Sequence, residues 1–154
     1  ERHEGTGSAP HGDGGSVAFD PSSYDESMQA CRTAYFSPRN GGLLRSDDAG
    51  ETWTRAGDTP PKVRLFVDDD GAVYLAGAAE GGAGLYVSRD RGVTLEKLLD
   101  EPIHGMDLEH RRLYVSGDFG VRVSGDGGAT FESVEPLRGL DRQNGKPVLN
   151  ITVS

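Results

Sequence analysis

Cysteine is nearly missing from this sequence: Cys31 is the one copy in 154 residues. A lone cysteine excludes an intramolecular disulfide and any cysteine metal cluster, and it leaves the redox compartment open. It sits in Ala30-Cys31-Arg32-Thr33-Ala34-Tyr35-Phe36, which reads as one strand carrying a buried, inert thiol. No apolar run approaches the roughly 18 residues of a membrane helix, so no membrane insertion is expected. Positive charge is also short. Sixteen Lys and Arg against 25 Asp and Glu give a net charge of −9, with no basic stripe for nucleic acid or an anionic membrane to dock on. That acidity reads first as solubility. Histidine is sparse as well. His3, His11, His104 and His110 show no HExxH and no close pair, so zinc is unsupported, and no phosphate-cradling glycine loop leads into a Lys-Ser/Thr pair.

Glycine, by contrast, is abundant, at 23 residues. There is no G-X-Y period, which excludes collagen; the glycines fall between short alternating stretches, as in a protein of many strands and tight turns. Five of them belong to an internal repeat. Ser46-Asp47-Asp48-Ala49-Gly50-Glu51-Thr52-Trp53, Ser88-Arg89-Asp90-Arg91-Gly92-Val93-Thr94-Leu95 and Ser124-Gly125-Asp126-Gly127-Gly128-Ala129-Thr130-Phe131 align without gaps. They share S-x-D-x-G-x-T followed by a large apolar residue, and start 42 and 36 residues apart. An aspartate there can accept from backbone N–H groups further on and close a turn, while the glycine takes a conformation that a Cβ resists.

This pattern resembles the Asp-box, or bacterial neuraminidase repeat, of sialidases, sortilin-type receptors, xyloglucan-degrading hydrolases and photosystem assembly factors. The resemblance runs from about Val17 onward, and Leu95 departs from it where an aromatic is usual. It implies an all-β chain of β-propeller blades, each of four antiparallel strands with the box between the third and fourth. It also implies that Asp48, Asp90 and Asp126 are folding residues rather than catalytic ones.

The flanking sequence fits that plan. In the middle repeat, strands are expected at 63–67, 72–76, 85–88 and 93–99, with Asp68-Asp69-Asp70-Gly71 as a hairpin turn. EF-hand spacing fails there, since the twelfth position from Asp68 is Ala79 rather than glutamate. The third repeat places strands at 103–108, 113–116, 121–124 and 130–134. The first has 16–19, an excursion ahead of the Cys31 strand, then 42–46 and an outer strand starting at 52–55. Residues 1–15 read as a flexible lead-in and 16–154 as the blades, with 148–153 starting another inner strand. Three blades and a strand fall short of the roughly 4–8 that close a propeller. The expectation is therefore a partial propeller, completed by remaining blades of a longer chain or by self-association. The chain opens on Glu1 rather than methionine, so a processed or longer protein is expected, with any targeting segment outside it.

In propellers the ligand face is built from loops joining the second strand to the third and each blade to the next. The contact residues expected there are Arg39, Lys62, Glu80, Asp118 and Phe119. No metal or cofactor is expected. Sialidase chemistry needs an arginine cluster and a Tyr–Glu pair, and the early Arg-Ile-Pro signature is absent. Asp20, Asp107 and Asp118 are the acids available to a two-carboxylate hydrolase. The expected function is a non-catalytic scaffold binding a protein or glycan through its loop face. The alternative is a segment of an exported glycoside hydrolase, sialidase-like or xyloglucanase-like, with catalytic residues partly elsewhere. Resemblance alone implies an extracellular or periplasmic location.

Overall fold

The computed structural model describes residues 15–77, 82–109 and 111–134. The first blade contains β1 (Ser16–Phe19), a 3-10 turn (Pro21–Ser23), a small hairpin of β2 (Tyr24–Asp25) and β3 (Ala30–Cys31), then β4 (Ala34–Ser37), β5 (Leu43–Ser46) and β6 (Thr54–Gly57). The second is β7 (Val63–Val67), β8 (Val73–Gly77), β9 (Gly84–Ser88) and β10 (Glu96–Leu99). The third is β11 (Gly105–Glu109), β12 (Arg112–Gly117), β13 (Gly120–Ser124) and β14 (Glu132–Ser133). Each is a four-stranded antiparallel meander, in the orders β1-β4-β5-β6, β7-β8-β9-β10 and β11-β12-β13-β14.

Three expectations need correction. The stretch from Ala30 to Phe36 is not one strand. Thr33 accepts the Asp20 N–H through its carbonyl and donates its own N–H to Ser23 Oγ, and the chain breaks there into β3 and β4. Cys31 consequently sits in the small hairpin, paired with Tyr24, and is half-buried rather than buried. The outer strands start later than their residue types suggest, at Thr54, Glu96 and Glu132. The threonine of each turn spends its N–H and hydroxyl on the aspartate, so the ladder resumes only beyond it. The third inner strand likewise begins at Gly105, because the Ile103 N–H bonds to the Gly77 carbonyl of the second blade. The expected strand at 148–153 and nearly all of the lead-in lie outside the described residues.

The blades stack face to face, and strand alternation divides their side chains between the two faces. β8 shows this most fully, being buried along its whole length. Val73 and Leu75 join Tyr35, Leu43, Val63 and Leu65 in a core between the first and second blades. Tyr74 and Ala76 join Leu85, Val87, Ile103, Leu113 and Val115 in a core between the second and third. The middle sheet is thus covered on both sides, which explains its near-continuous apolar strands.

One register position recurs. Tyr35 pairs with Arg45, Tyr74 with Val87 and Tyr114 with Val123, each partner standing just before the serine of a repeat turn. Tyr35 and Tyr74 point forward into the next blade and are almost wholly buried. The turn of each following blade lies on that same forward face. A Cβ on Gly92 would meet Leu43, and one on Gly128 would meet Leu98, at φ values of +89° and +92°. In the second and third repeats the glycine is therefore required twice, by backbone conformation and by contact with the preceding sheet.

The two faces of the stack predict different costs for side-chain loss. Leu75→Ala, in the sealed core, should lower unfolding stability by about 2–5 kcal/mol. Val17→Ala, whose side chain is 53% exposed, should cost well under half as much. Urea denaturation of both variants would check this, and equal losses would contradict the assignment of faces.

Candidate functional site

Antiparallel meanders send alternate connections to opposite ends, so the blades have a turn end and a loop end. The turn end carries the three repeat turns together with the connections joining first strands to second. In the first repeat, the Ser46 hydroxyl donates to Asp48 Oδ1 at 2.7 Å and accepts the Gly50 N–H at 2.8 Å. The same carboxylate accepts the Thr52 N–H at 2.8 Å and the Thr52 hydroxyl at 2.5 Å. Ser88, Asp90, Gly92 and Thr94 repeat the network, as do Ser124, Asp126, Gly128 and Thr130. Donation from the threonine hydroxyl and N–H, then from serine, holds all three carboxyls at about 2, against the ordinary 3.8. These aspartates are occupied within their own turns.

The same end also contains polar links between blades. Arg91 pairs with Asp47 at 2.6 Å, and Arg89 donates to the Gly127 carbonyl at 2.8 Å, which Tyr74 also reaches at 3.3 Å. A cleft of about 590 Å³ opens here between Asp20, Asp70, Arg89, Arg111 and Asp126. Its charges are largely satisfied in place: Asp70 accepts twice from Arg111 at 2.7 Å, and Asp20 caps the 3-10 turn by accepting from Ser22. Asp25 is held well below the usual carboxylate range by the Ser27 hydroxyl and then Arg32.

The loop end is where the contact residues were expected. Arg39 and Lys62 come together at the seam between the first and second blades, where the Lys62 N–H donates to the Arg39 carbonyl at 3.2 Å. Both are exposed, and Lys62 is turned out of the strand path by a φ of +59° after Pro60-Pro61. Asp118 and Phe119 form a second group, on the connection between β12 and β13. Glu80 lies outside the described residues.

Around Asp118 and Phe119 the fold assembles partners that the sequence pattern did not single out. The Arg122 guanidinium lies over the Phe119 ring at 4.1 Å and forks onto both oxygens of Glu101 at 3.2 Å each. His104 Nε2 is 3.3 Å from Asp118 Oδ1, and both side chains are largely exposed. Glu101 and His104 come from one chain segment and Phe119 and Arg122 from another, and nothing in their spacing announces the cluster. The three acids considered for hydrolysis are not brought together as one group. Asp20 caps a turn at the turn end, Asp107 lies along β11 and Asp118 stands at the loop end.

Comparison with known proteins bears on the fold. No family model matches the sequence. Over 96 residues the chain is 34% identical to a xyloglucanase of Hypocrea jecorina (strain QM6a), covering 53% of this chain and 11% of that enzyme. The GH74 xyloglucanase of Xanthomonas campestris superposes with a TM-score of 0.59 at 22% identity, over 79% of this chain and 23% of that one. YCF48 from Cyanidioschyzon merolae gives 0.58 at 16% identity, over 81% and 38%. YCF48 bound to D1 peptide gives 0.52 at 14% identity, over 81% and 42%. These neighbours are β-propellers. The chain has the fold of a partial β-propeller. It spans about a tenth of the curated relative that it matches and less than half of each of these structures.

The turn carboxylates set a pH dependence. Because their folded values lie below the ordinary 3.8, the unfolded chain binds protons first as pH falls. Their contribution is complete above about pH 5 and is lost progressively as pH drops through 4 toward 2. Urea midpoints measured from pH 7 to pH 2 should fall in that window. Thr130→Val, which removes one hydroxyl donor, should flatten the decline. A midpoint constant down to pH 2 would contradict the assignment.

Proposed function

We propose that this chain is a set of Asp-box propeller blades forming a non-catalytic scaffold, which binds a protein ligand, or a glycan in its place, through the loop end. The observation that carries this reading is the preassembled seam at Phe119. An aromatic ring, a guanidinium clamped by Glu101 and an exposed His104–Asp118 pair offer stacking, charge and hydrogen bonding in one place, on side chains already ordered by their neighbours. Arg39 and Lys62 add a basic patch at the neighbouring seam, and Glu80 belongs to the same set of loops. The turn aspartates, the most regular acids of the sequence, are engaged in holding turns and take no part. YCF48, a structural neighbour, is known in a complex with a peptide, which supports a protein ligand for a propeller of this build. The reading brings with it an extracellular or periplasmic location, which rests on the resemblance of the turns.

The identity to a xyloglucanase favours one second reading, a segment of an exported glycoside hydrolase. Such an enzyme needs two carboxyl groups flanking the scissile bond. At the described loop end Glu101 and Asp118 share a seam, yet both Glu101 oxygens accept from Arg122. The second carboxylate would then come from residues beyond these blades.

Peptide and glycan arrays, followed by calorimetry on the strongest binder, test the proposal. Phe119→Ala, and separately Arg39→Ala with Lys62→Ala, should each weaken binding at least about tenfold, the equivalent of about 1.4 kcal/mol. Xyloglucan hydrolysis by the purified chain, abolished in Asp118→Asn, would overturn the scaffold reading in favour of the enzyme.

A further inference from the structure

The turn-end cleft of about 590 Å³ falls within the roughly 300–1,000 Å³ of small-molecule sites. It opens where the second and third blades meet, with Asp20 of the first blade on its wall. Three arginines line it, and each guanidinium already has a carboxylate. Arg89 pairs with Glu96 at 2.8 Å, Arg91 with Asp47 at 2.6 Å and Arg111 with Asp70 at 2.7 Å. Two further lining acids, Asp68 and Asp126, close their own turns. An ion of either sign would therefore enter beside charges that are already balanced, and its lost hydration would go uncompensated.

What these pairs leave over is hydrogen-bonding capacity in both senses. The bond to Asp47 engages only Nη2 of Arg91, and those to Asp70 only Nη2 of Arg111, although a guanidinium carries five N–H donors. Ser22 bonds only Oδ1 of Asp20, through its N–H at 2.9 Å and its hydroxyl at 2.6 Å. Asp20 is 7% exposed, so Oδ2 is a nearly buried acceptor on the cleft wall, with no hydrogen bond among the described residues. A Cβ on Gly71 would come within 3.2 Å of that oxygen, and glycine at this position keeps it open. The third turn is bare as well. Gly125 and Gly127 stand where the second turn carries Arg89 and Arg91, and a Cβ on Gly125 would meet nothing within 4 Å.

We propose that this cleft binds a neutral sugar ring. A sugar hydroxyl donates and accepts at once, which suits a wall that presents guanidinium N–H groups beside carboxylate oxygens. Bonds to charged groups are also the stronger kind. The C–H face of the ring has Leu108 and Ala72 to lie against. The ion pairs hold the polar side chains in place beforehand, so little ordering is left to the ligand. This cleft lies at the opposite end of the blades from the loop-end surface, and its occupancy does not depend on a ligand there.

Titration of the isotope-labelled 154-residue chain with glucose, cellobiose and maltose, followed by amide NMR, tests this. The amide peaks of Gly71, Gly125 and Gly127 should move, and those of Gly117 and Gly120 at the loop end should not. Glucose should bind more tightly than glucuronate or glucosamine, which carry a charge on the same ring. Arg111→Ala removes an exposed ion pair of little worth to stability and should weaken binding at least about tenfold. Gly125→Trp should do the same by filling the cleft while leaving its hydrogen bonds in place. The amide spectrum of each variant establishes that it is folded. Turn-end peaks unmoved by all three sugars, or full affinity in both variants, would overturn the assignment. Movement confined to Gly117 and Gly120 would overturn it as well, while upholding the loop-end reading. Equal or tighter binding of glucuronate or glucosamine would overturn the neutral ligand.

Discussion

A carboxylate that accepts hydrogen bonds from both the N–H and the hydroxyl of a threonine four residues on is the constraint from which this structure is built. Asp48, Asp90 and Asp126 each make that pair of bonds, and each also receives the hydroxyl of a serine two residues back. The serine oxygen in turn accepts the glycine N–H, so a tight reversal between two strands leaves few polar groups unmet. Closing the turn places the glycine backbone directly on the preceding blade, against Leu43 or Leu98. A local hydrogen-bond network thereby becomes a docking element between sheets. Its consequences spread outward, to the delayed start of the outer strands and to the arginine and tyrosine links that join one blade's face to the next blade's turn.

That arrangement makes the two ends of the blades unlike. Everything that must be regular lies at the turn end, where side chains and backbone are committed to one another. Among the described residues the loop end shows no such repeat, and its two seams differ: a basic pair at one, an aromatic–arginine–glutamate cluster with an exposed His–Asp pair at the other. Loops are free to vary where no repeated turn has to be closed.

Much of the fold was legible before any coordinates. Four chemically required positions recur at blade spacing, and apolar strands flank them, so the three described blades and most of their strand positions follow from pattern. The errors have physical causes. Ala30 to Phe36 reads as a strand by composition, but Thr33 is diverted to Asp20 and Ser23, and the chain turns there. The outer strands were expected too early because Thr, Trp and Phe favour strands, while the threonine's donors are already taken by the aspartate. Of the candidate site residues, Arg39, Lys62, Asp118 and Phe119 stand on loop-end connections, as blade topology implies. The partners that give Phe119 its setting, Arg122 and Glu101, are separated by 21 residues and carry no motif.

By itself, then, the sequence determined the turns, because each is closed by side chains within seven residues of one another and needs nothing distant. It also determined where most of the strands run, through short apolar stretches set between turns. Only the tertiary structure decided which face of each blade is sealed and which is open. Val17 and Leu65 are equally apolar and occupy the same register, and they differ only in whether another sheet lies over them. The seam at Phe119 was decided there too, since a cation over a ring and a fork onto a carboxylate depend on how one blade is set against the next.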